Sequence, residues 1–355
     1  MKIIIDVMGG DNAPEAGVIG VLDAAVAMPE HSYIVVGREG EIRETARSAG
    51  REAELDGVRI VHTDSVITME DQPLSVVREK SDSSMAVGLR MLRDGEGEAF
   101  VSSGNTGALH AGSSLIVRRI KGIRRSAIAS VLPFARPMLL IDSGANIDVQ
   151  PEYLRQFAVM GSIYMKNVFG IDSPQVGLLN NGTEECKGGA MMVDTYKLLR
   201  SEPTINFVGN VEAKVAPLGA CDVLVTDGFT GNVFLKLSEG VGQYLLSCLK
   251  DCFTENLVTK ASALAMRGSL RRLKRSVDAS EFGGAPLLGL SRPVLKTHGS
   301  SDSRAFVSTI RRAADFAGTG VHVEIAKWVE QDAARAAEAE AAETAADTAS
   351  ATPNA

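Results

Sequence analysis

A mainly parallel α/β sheet with helices on both faces is the fold class this sequence predicts, and three observations predict it. Short β-branched or aliphatic runs of strand length alternate with longer segments of helical spacing. Clusters of Gly, Asn and Asp repeatedly follow the apolar runs. The 355 residues, 45% hydrophobic and 23% charged, suffice to bury a large core.

The elements follow in order. Residues 2–7, KIIIDV, form an apolar run that ends in the glycine turn 8–12, after which Pro14 and an Ala-rich segment to residue 28 read as a helix capped by Asp11 or Asn12. Residues 33–36 and 58–61 are strands on either side of a helix over 41–49. Pro73 precedes one or two helices over 75–92; 99–102 is a strand, and the turn 103–107 leads into a helix over 108–119. Strands over 127–132 and 138–141 follow, the second closing on the turn 142–146, and Pro151 opens a helix to about residue 168. A strand over 176–179, a helix over 190–199 and a strand over 205–208 leading into the turn 209–212 come next. The strand 223–226 leads into the turn 227–232 and a long helical region to about residue 277. Residues 282–290 read as a glycine-proline loop, 293–297 as the last strand, and helices over 302–316 and from 321 onward close the fold. The expected organisation is one α/β domain over 1–332 with a protruding helical segment at about 240–280, followed by a low-complexity Ala/Glu tail, 333–355, expected to be disordered.

Composition excludes several classes of function. A net charge of -7 argues against nucleic acid as a partner, because phosphate backbones require a basic face. The four cysteines show no C-x-x-C spacing, so neither a zinc site nor a disulfide frame is expected, and a reducing cytoplasm fits. The start, MKIIIDVMGGD, is too briefly apolar for a signal-peptide core, and no apolar run reaches the length of a membrane span.

Seven Gly/Asn/Asp turns follow strands, and in a single parallel sheet they would share an edge and line one crevice. The most chemical of them lies in VGLLNNGTEECKGG, residues 176–189, where a strand ends at Asn180, Asn181 and Gly182 and Lys187 precedes a Gly188–Gly189 pair and a helix. A lysine beside a helix start and flexible glycines outlines an anion site. Walker, G-x-G-x-x-G and G-x-S-x-G motifs are absent, so the residues give no direct support for a nucleotide or a serine acyl-enzyme. The turns supply amides at Asn105, Asn146, Asn180, Asn181 and Asn232, backbone donors, Lys187, and hydroxyls after His298. Such a set can hold a phosphate and stabilise an oxyanion, which suits acyl transfer to or from phosphate. Asp6, Asp11, Asp142 and Asp227 read as helix caps in preference to a metal set, so no metal or other cofactor is expected. Cys186 is either a nucleophile activated by Lys187 or a small buried neighbour, the second being preferred; His298 is either a general base or a histidine bonded to a helix start.

Taken as an ordered series, the motifs resemble bacterial phosphate acyltransferases of the PlsX family, acyl-ACP:phosphate acyltransferases. The resemblance rests on DVMGGD at 6–11, SSGNTGAL at 102–109, IDSGAN at 141–146, GLLNNGTEECKGG at 177–189, GNVE at 209–212, DGFTGNVFLK at 227–236, FGGAPLLGL at 282–290 and HGSS at 298–301. It covers the chain from residue 1 to about 331, with Val7 standing where a smaller residue is expected. The resemblance implies a Rossmann-like fold related to phosphotransacetylases and isocitrate-type dehydrogenases, and a homodimer. It also implies transfer of a long-chain acyl group from acyl carrier protein to inorganic phosphate. The acyl phosphate formed would serve a membrane glycerol-3-phosphate acyltransferase, the enzyme being cytoplasmic and peripheral at the inner membrane face. Matched residue by residue, the family's catalytic lysine falls on Lys187 and its catalytic asparagine on Asn232. Asp6, Gly9, Gly10, Asn105, Thr106, Asn146, Asn181, Asp227, His298 and Ser300 are the expected substrate-binding set. A short-chain phosphotransacetylase using acyl-CoA is the nearest alternative; a metal-dependent decarboxylating dehydrogenase and a silent lipid-binding protein are further ones.

Two surface expectations complete the reading. Arg118, Arg119, Lys121, Arg124 and Arg125 form a basic run suited to an acidic carrier protein. Met266, Leu270, Leu273 and Val277 recur at helical spacing among basic residues, as in a helix that lies on an anionic membrane or packs on its twin.

Overall fold

The computed structural model of the protein describes residues 1–276 and 283–350. Its strands are β1 (Lys2–Asp6), β2 (Ser32–Gly37), β3 (Val58–His62), β4 (Ala99–Ser102), β5 (Ala127–Pro133), β6 (Pro137–Ile141), β7 (Gln175–Asn180), β8 (Asn206–Glu212), β9 (Val223–Val225), β10 (Ala285–Leu288) and β11 (Val294–Lys296). The helices are α1 (Glu15–Ala27), α2 (Glu39–Ser48), α3 (Ser84–Arg93), α4 (Thr106–Gly112), α5 (Pro151–Phe169), α6 (Ala190–Ser201), α7 (Gly228–Thr254), α8 (Leu257–Ala265), α9 (Arg267–Ser276), α10 (Ser303–Gly318) and α11 (Val321–Ser350).

Among the described residues the strands form one 11-stranded sheet in the order β3-β2-β1-β4-β11-β10-β5-β6-β9-β7-β8. Side chains alternate across it, as a period of two requires. Ile3, Ile5, Tyr33 and Val35 belong to one core with residues of α1, α2, α5 and α10, whereas Ile4, Ile34, Val36 and Phe100 belong to a second with α3 and α4. Val7 packs against Gly17 of α1, where a Cβ would lie 2.9 Å from its side chain, so the larger residue at position 7 is a packing matter.

The sheet is not uniformly parallel. β1, β2, β3, β4 and β11 run together, and β6, β7, β8 and β9 run together. Between them β10 is antiparallel to both β11 and β5, and β5 is antiparallel to β6. These three reversals make the second set run against the first. The expectation that all strand-end turns share one edge is therefore corrected: the turns after β1, β4 and β11 belong to one set and those after β6, β7 and β9 to the other.

Five local expectations change as well. Residues 209–212 continue β8 instead of turning, because a register shift beside Gly177 absorbs Val208 and Gly209 takes φ +94°. In the glycine-proline segment, residues 285–288 are a strand paired to β11 through one half and to β5 through the other, tertiary pairing overriding local turn preference; residue 282 lies outside the described residues. Residues 228–232 are the first turn of α7, and the 257–277 segment is two helices broken at Met266, with residue 277 outside the described residues. No Asp or Asn side chain caps α1; Asn12 instead donates to the carbonyls of Ser300 and Ser301. At the other end of the chain, α11 anchors Trp328 in the core and continues through the Ala/Glu segment.

Candidate active site

The site is assembled around the start of α7. Asp227 caps this helix by accepting from the Thr230 N–H at 2.8 Å. Two glycines let its first turn lie directly on the 142–146 turn: a Cβ at Gly231 would sit 1.9 Å from the Asp142 carbonyl oxygen, and one at Gly228 2.7 Å from that of Asn146. The Gly228 N–H closes the contact by donating to the Asn146 carbonyl at 2.7 Å. This packing brings the exposed Asn232 side chain beside Gly144, 3.6 Å from its Cβ position.

The 142–146 turn is built around one buried carboxylate. Asp142 accepts from the backbone N–H groups of Ile128, Gly144, Ala145 and Asn146 and from Asn146 Nδ2. Burial raises its pKa, and the donated hydrogen bonds act in the opposite direction. Asn146 also donates from Nδ2 to the Ser126 carbonyl, so both amide hydrogens are engaged inside the protein. His110 of α4 donates to the same carbonyl at 3.2 Å, which ties the β4 turn to the β6 turn across the reversal in the sheet; burial lowers the His110 pKa.

On the other set of strands, the β1, β4 and β11 turns interlock. A Cβ on Gly9 would meet the Gly104 backbone at 2.4 Å, and Gly10, at φ +90°, packs against Gly299 and Ser103. Asp6 is buried, its pKa raised by that burial, and accepts from Ser102 Oγ at 2.8 Å and from the Met8 N–H. Lys296, also buried, donates to the carbonyls of Ser103 and Thr297, and desolvation lowers its ammonium to about 8. Asn105 caps α4 and clasps the carbonyls of Thr68, Met69 and Asp71.

Lys187 sits apart from this packing. The 183–189 segment is exposed, and among the described residues the Lys187 ammonium has one ion-pair partner, Glu184, at 3.9 Å. Asn180 Nδ2 donates to the Lys187 carbonyl and to Asn210 Oδ1, while Asn210 Nδ2 donates to the Glu184 carbonyl at 2.8 Å. Cys186 is exposed, not buried as expected, in a turn whose residues 183–189 are all exposed. Among the described residues no hydrogen bond or ion pair joins Lys187 to Asn232, Asn146 or His298.

The expected site residues thus divide. Asp6, Gly9, Gly10, Asn105, Asn146 and Asp227 hold the framework together, whereas Thr106, Asn181, Lys187, Asn232, His298 and Ser300 are exposed. His298 bonds to Ser300 within its own turn; the start of α10 is capped by Asp302. Three residues escaped the sequence reading: Asn210, Lys296 and Lys236, whose Nζ lies 3.5 Å from His298 Nε2. Reading residues 228–236 as helix would have revealed Lys236, four positions after Asn232 and on the same face.

Comparison with known proteins gives concordant results. A family model described as "Fatty acid synthesis protein" matches residues 1–324. A protein of Acetivibrio thermocellus named phosphate acyltransferase is 46% identical over 320 residues, covering 90% of this chain and 94% of its own. A phosphate acyltransferase of Caldanaerobacter subterraneus subsp. tengcongensis is 41% identical, covering 93% and 98%. Among solved structures, a phosphotransacetylase from Streptococcus pyogenes superposes with a TM-score of 0.62 at 18% identity, covering 89% of this chain and 94% of that one. The EutD phosphotransacetylase from Staphylococcus aureus gives 0.58 at 16%, with the same coverage of both chains. These structural matches establish the α/β fold.

Proposed function

This chain belongs to the phosphate acyltransferase family, and we propose that it moves a long-chain fatty acyl group from the thioester of an acyl carrier protein to inorganic phosphate. A phosphate oxygen adds to the thioester carbonyl carbon and the carbon–sulfur bond breaks. The thiolate takes the proton that phosphate loses, leaving acyl phosphate and the carrier thiol. Thioester and acyl phosphate are both activated, so the exchange needs no nucleotide. Lys187 holds phosphate as a point charge, and the Asn232 amide donates to the thioester oxygen as it becomes an oxyanion. The geometry behind this assignment is the Asn232 side chain, exposed beside Gly144 and free of any hydrogen bond to the protein among the described residues.

The choice of donor rests on the family description, fatty acid synthesis, matched over residues 1–324, against phosphotransacetylases that share the fold at 18% identity or less. Incubation with phosphate and either palmitoyl-ACP or acetyl-CoA, measuring acyl phosphate and free thiol, tests it. Acetyl phosphate formed while palmitoyl-ACP stays intact would reverse the assignment.

Three associations belong to the same proposal. Arg118, Arg119, Lys121, Arg124 and Arg125 are all exposed beyond α4 and suit the acidic carrier. Phe229, Val233, Leu237, Val241, Tyr244 and Leu245 form an exposed apolar stripe along α7 that suits a second copy of the chain. Membrane contact, which would deliver acyl phosphate to a bilayer glycerol-3-phosphate acyltransferase, extends from the expected stripe to the ends of α8. Leu270 and Leu273 line an apolar groove of about 530 Å³ with Leu246, Leu249, Phe253 and Leu264, and Leu257, Val258, Leu264, Met266 and Leu273 are exposed. No helix among the described residues is long and apolar enough to cross a membrane; the contact proposed is peripheral, at the inner face of the cell membrane. Pelleting with anionic liposomes, lost on Leu257→Glu with Val258→Glu, tests the contact.

A further inference from the structure

We propose that Lys236 and His298 form a seat for the phosphate, a clamp contributed by the two opposed halves of the sheet; the identity of the anion rests on the reaction proposed above. His298 Nδ1 receives the backbone N–H of Ser300 at 3.2 Å and lies 2.9 Å from the Ser300 hydroxyl, which can donate to the same nitrogen. A backbone N–H only donates, so the Nδ1 lone pair faces it and the proton of the neutral ring sits on Nε2. That Nε2 lies 3.5 Å from the Lys236 ammonium, which likewise has only protons to offer. Two donors therefore face one gap, and among the described residues no hydrogen bond places an acceptor between them. Glu239, at 3.2 Å, is the ion-pair partner of Lys236 among the described residues and lies on the same helix. A phosphate oxygen seated in the gap would accept from both donors, in charge-assisted hydrogen bonds.

Position ties this gap to the reaction. Lys236 follows Asn232 by one helical turn, so both side chains leave the same face of α7, and Asn232 already stands beside Gly144. The neutral Asn232 amide suits a thioester carbonyl, while an ammonium with an imidazole suits a dianion. His298 follows β11, from the strand set opposite to the one that leads into α7, so the seat exists only when the two halves are docked. Lys187 then adds a further cation from its own exposed turn.

The test separates the two substrates. Lys236→Met, which keeps the aliphatic stem, should raise the KM for phosphate by about tenfold or more and change the KM for palmitoyl-ACP less than about twofold. Lys236→Arg should recover most of the loss. Inorganic phosphate should raise the Tm of the wild-type protein and raise that of Lys236→Met much less. A raised palmitoyl-ACP KM with an unchanged phosphate KM would assign the pair to the acyl donor and overturn the proposal, as would two unchanged constants. If the wild-type protein made no acyl phosphate from any donor, the proposed reaction would fail. A phosphate-dependent Tm shift lost in Lys236→Met would still support the seat.

Discussion

The turn after β6 and the turn after β7 have similar composition, IDSGAN and NNGTEECKGG, and are held in opposite ways. In the first, a buried carboxylate gathers the backbone N–H groups of Ile128, Gly144, Ala145 and Asn146, and α7 lies on top through Gly228 and Gly231. In the second, residues 183–189 are exposed, and the side-chain ties come from Asn180 and Asn210 and from Glu185, which accepts from Tyr196 and Arg200. Precision and charge are thus kept in separate turns. Backbone aimed by a saturated buried acceptor is pre-organised, while a lysine on an exposed turn keeps its charge without desolvation and can move to meet an anion.

The largest effect should come from the buried side of this comparison. Asp142→Ala leaves several buried N–H groups unsatisfied and should lower unfolding stability by about 4 kcal/mol, read from the urea midpoint. A loss below about 1 kcal/mol would show that the turn is not organised by this carboxylate. The same logic is testable on the opposite strand set through Lys296, whose ammonium burial lowers from 10.5 to about 8. Between those values the folded chain holds fewer protons than the unfolded one, so stability rises with pH across that window, and the full desolvation cost is present below it. Wild-type stability, taken relative to Lys296→Met, should climb by about 3 kcal/mol from pH 8 to 10.5, and a flat difference would contradict the burial.

The exposed side should show function without stability. Lys187→Ala should reduce kcat/KM by about two decades or more while Tm stays within about a degree. A large Tm loss would erase the contrast between the two turns. Asn210→Ala, which frees the Glu184 carbonyl, should cost about tenfold in activity through a looser Lys187, and Lys187→Ala in that background should show less than additive loss. Cys186→Ala should keep most activity, being exposed with no bond to Lys187; a trapped acyl group on Cys186 by mass spectrometry would make it the nucleophile.

Much of the fold was legible because strands such as 2–6 and 175–180 are short apolar runs closed by turn residues, a signal carried within a few neighbouring positions. The ordered motifs likewise made the family legible, together with the choice of Lys187 and Asn232 as its candidate acting residues. The segments 209–212, 228–232 and 285–288 were misread because glycine-rich strings look like turns, whereas here the glycines permit a register shift, a helix pressed against backbone, and a strand shared by two neighbours. Residue order alone was therefore enough for the list of elements, the chemistry available at their ends and the family. Only the tertiary structure decided that β10, β5 and β6 reverse the sheet, that Asp6 and Asn146 serve the framework, and that Lys236 meets His298 across 62 positions of chain. The physical reason is that periodicity and capping are local interactions, while strand direction and side-chain convergence depend on contacts between segments whose separation leaves no local mark.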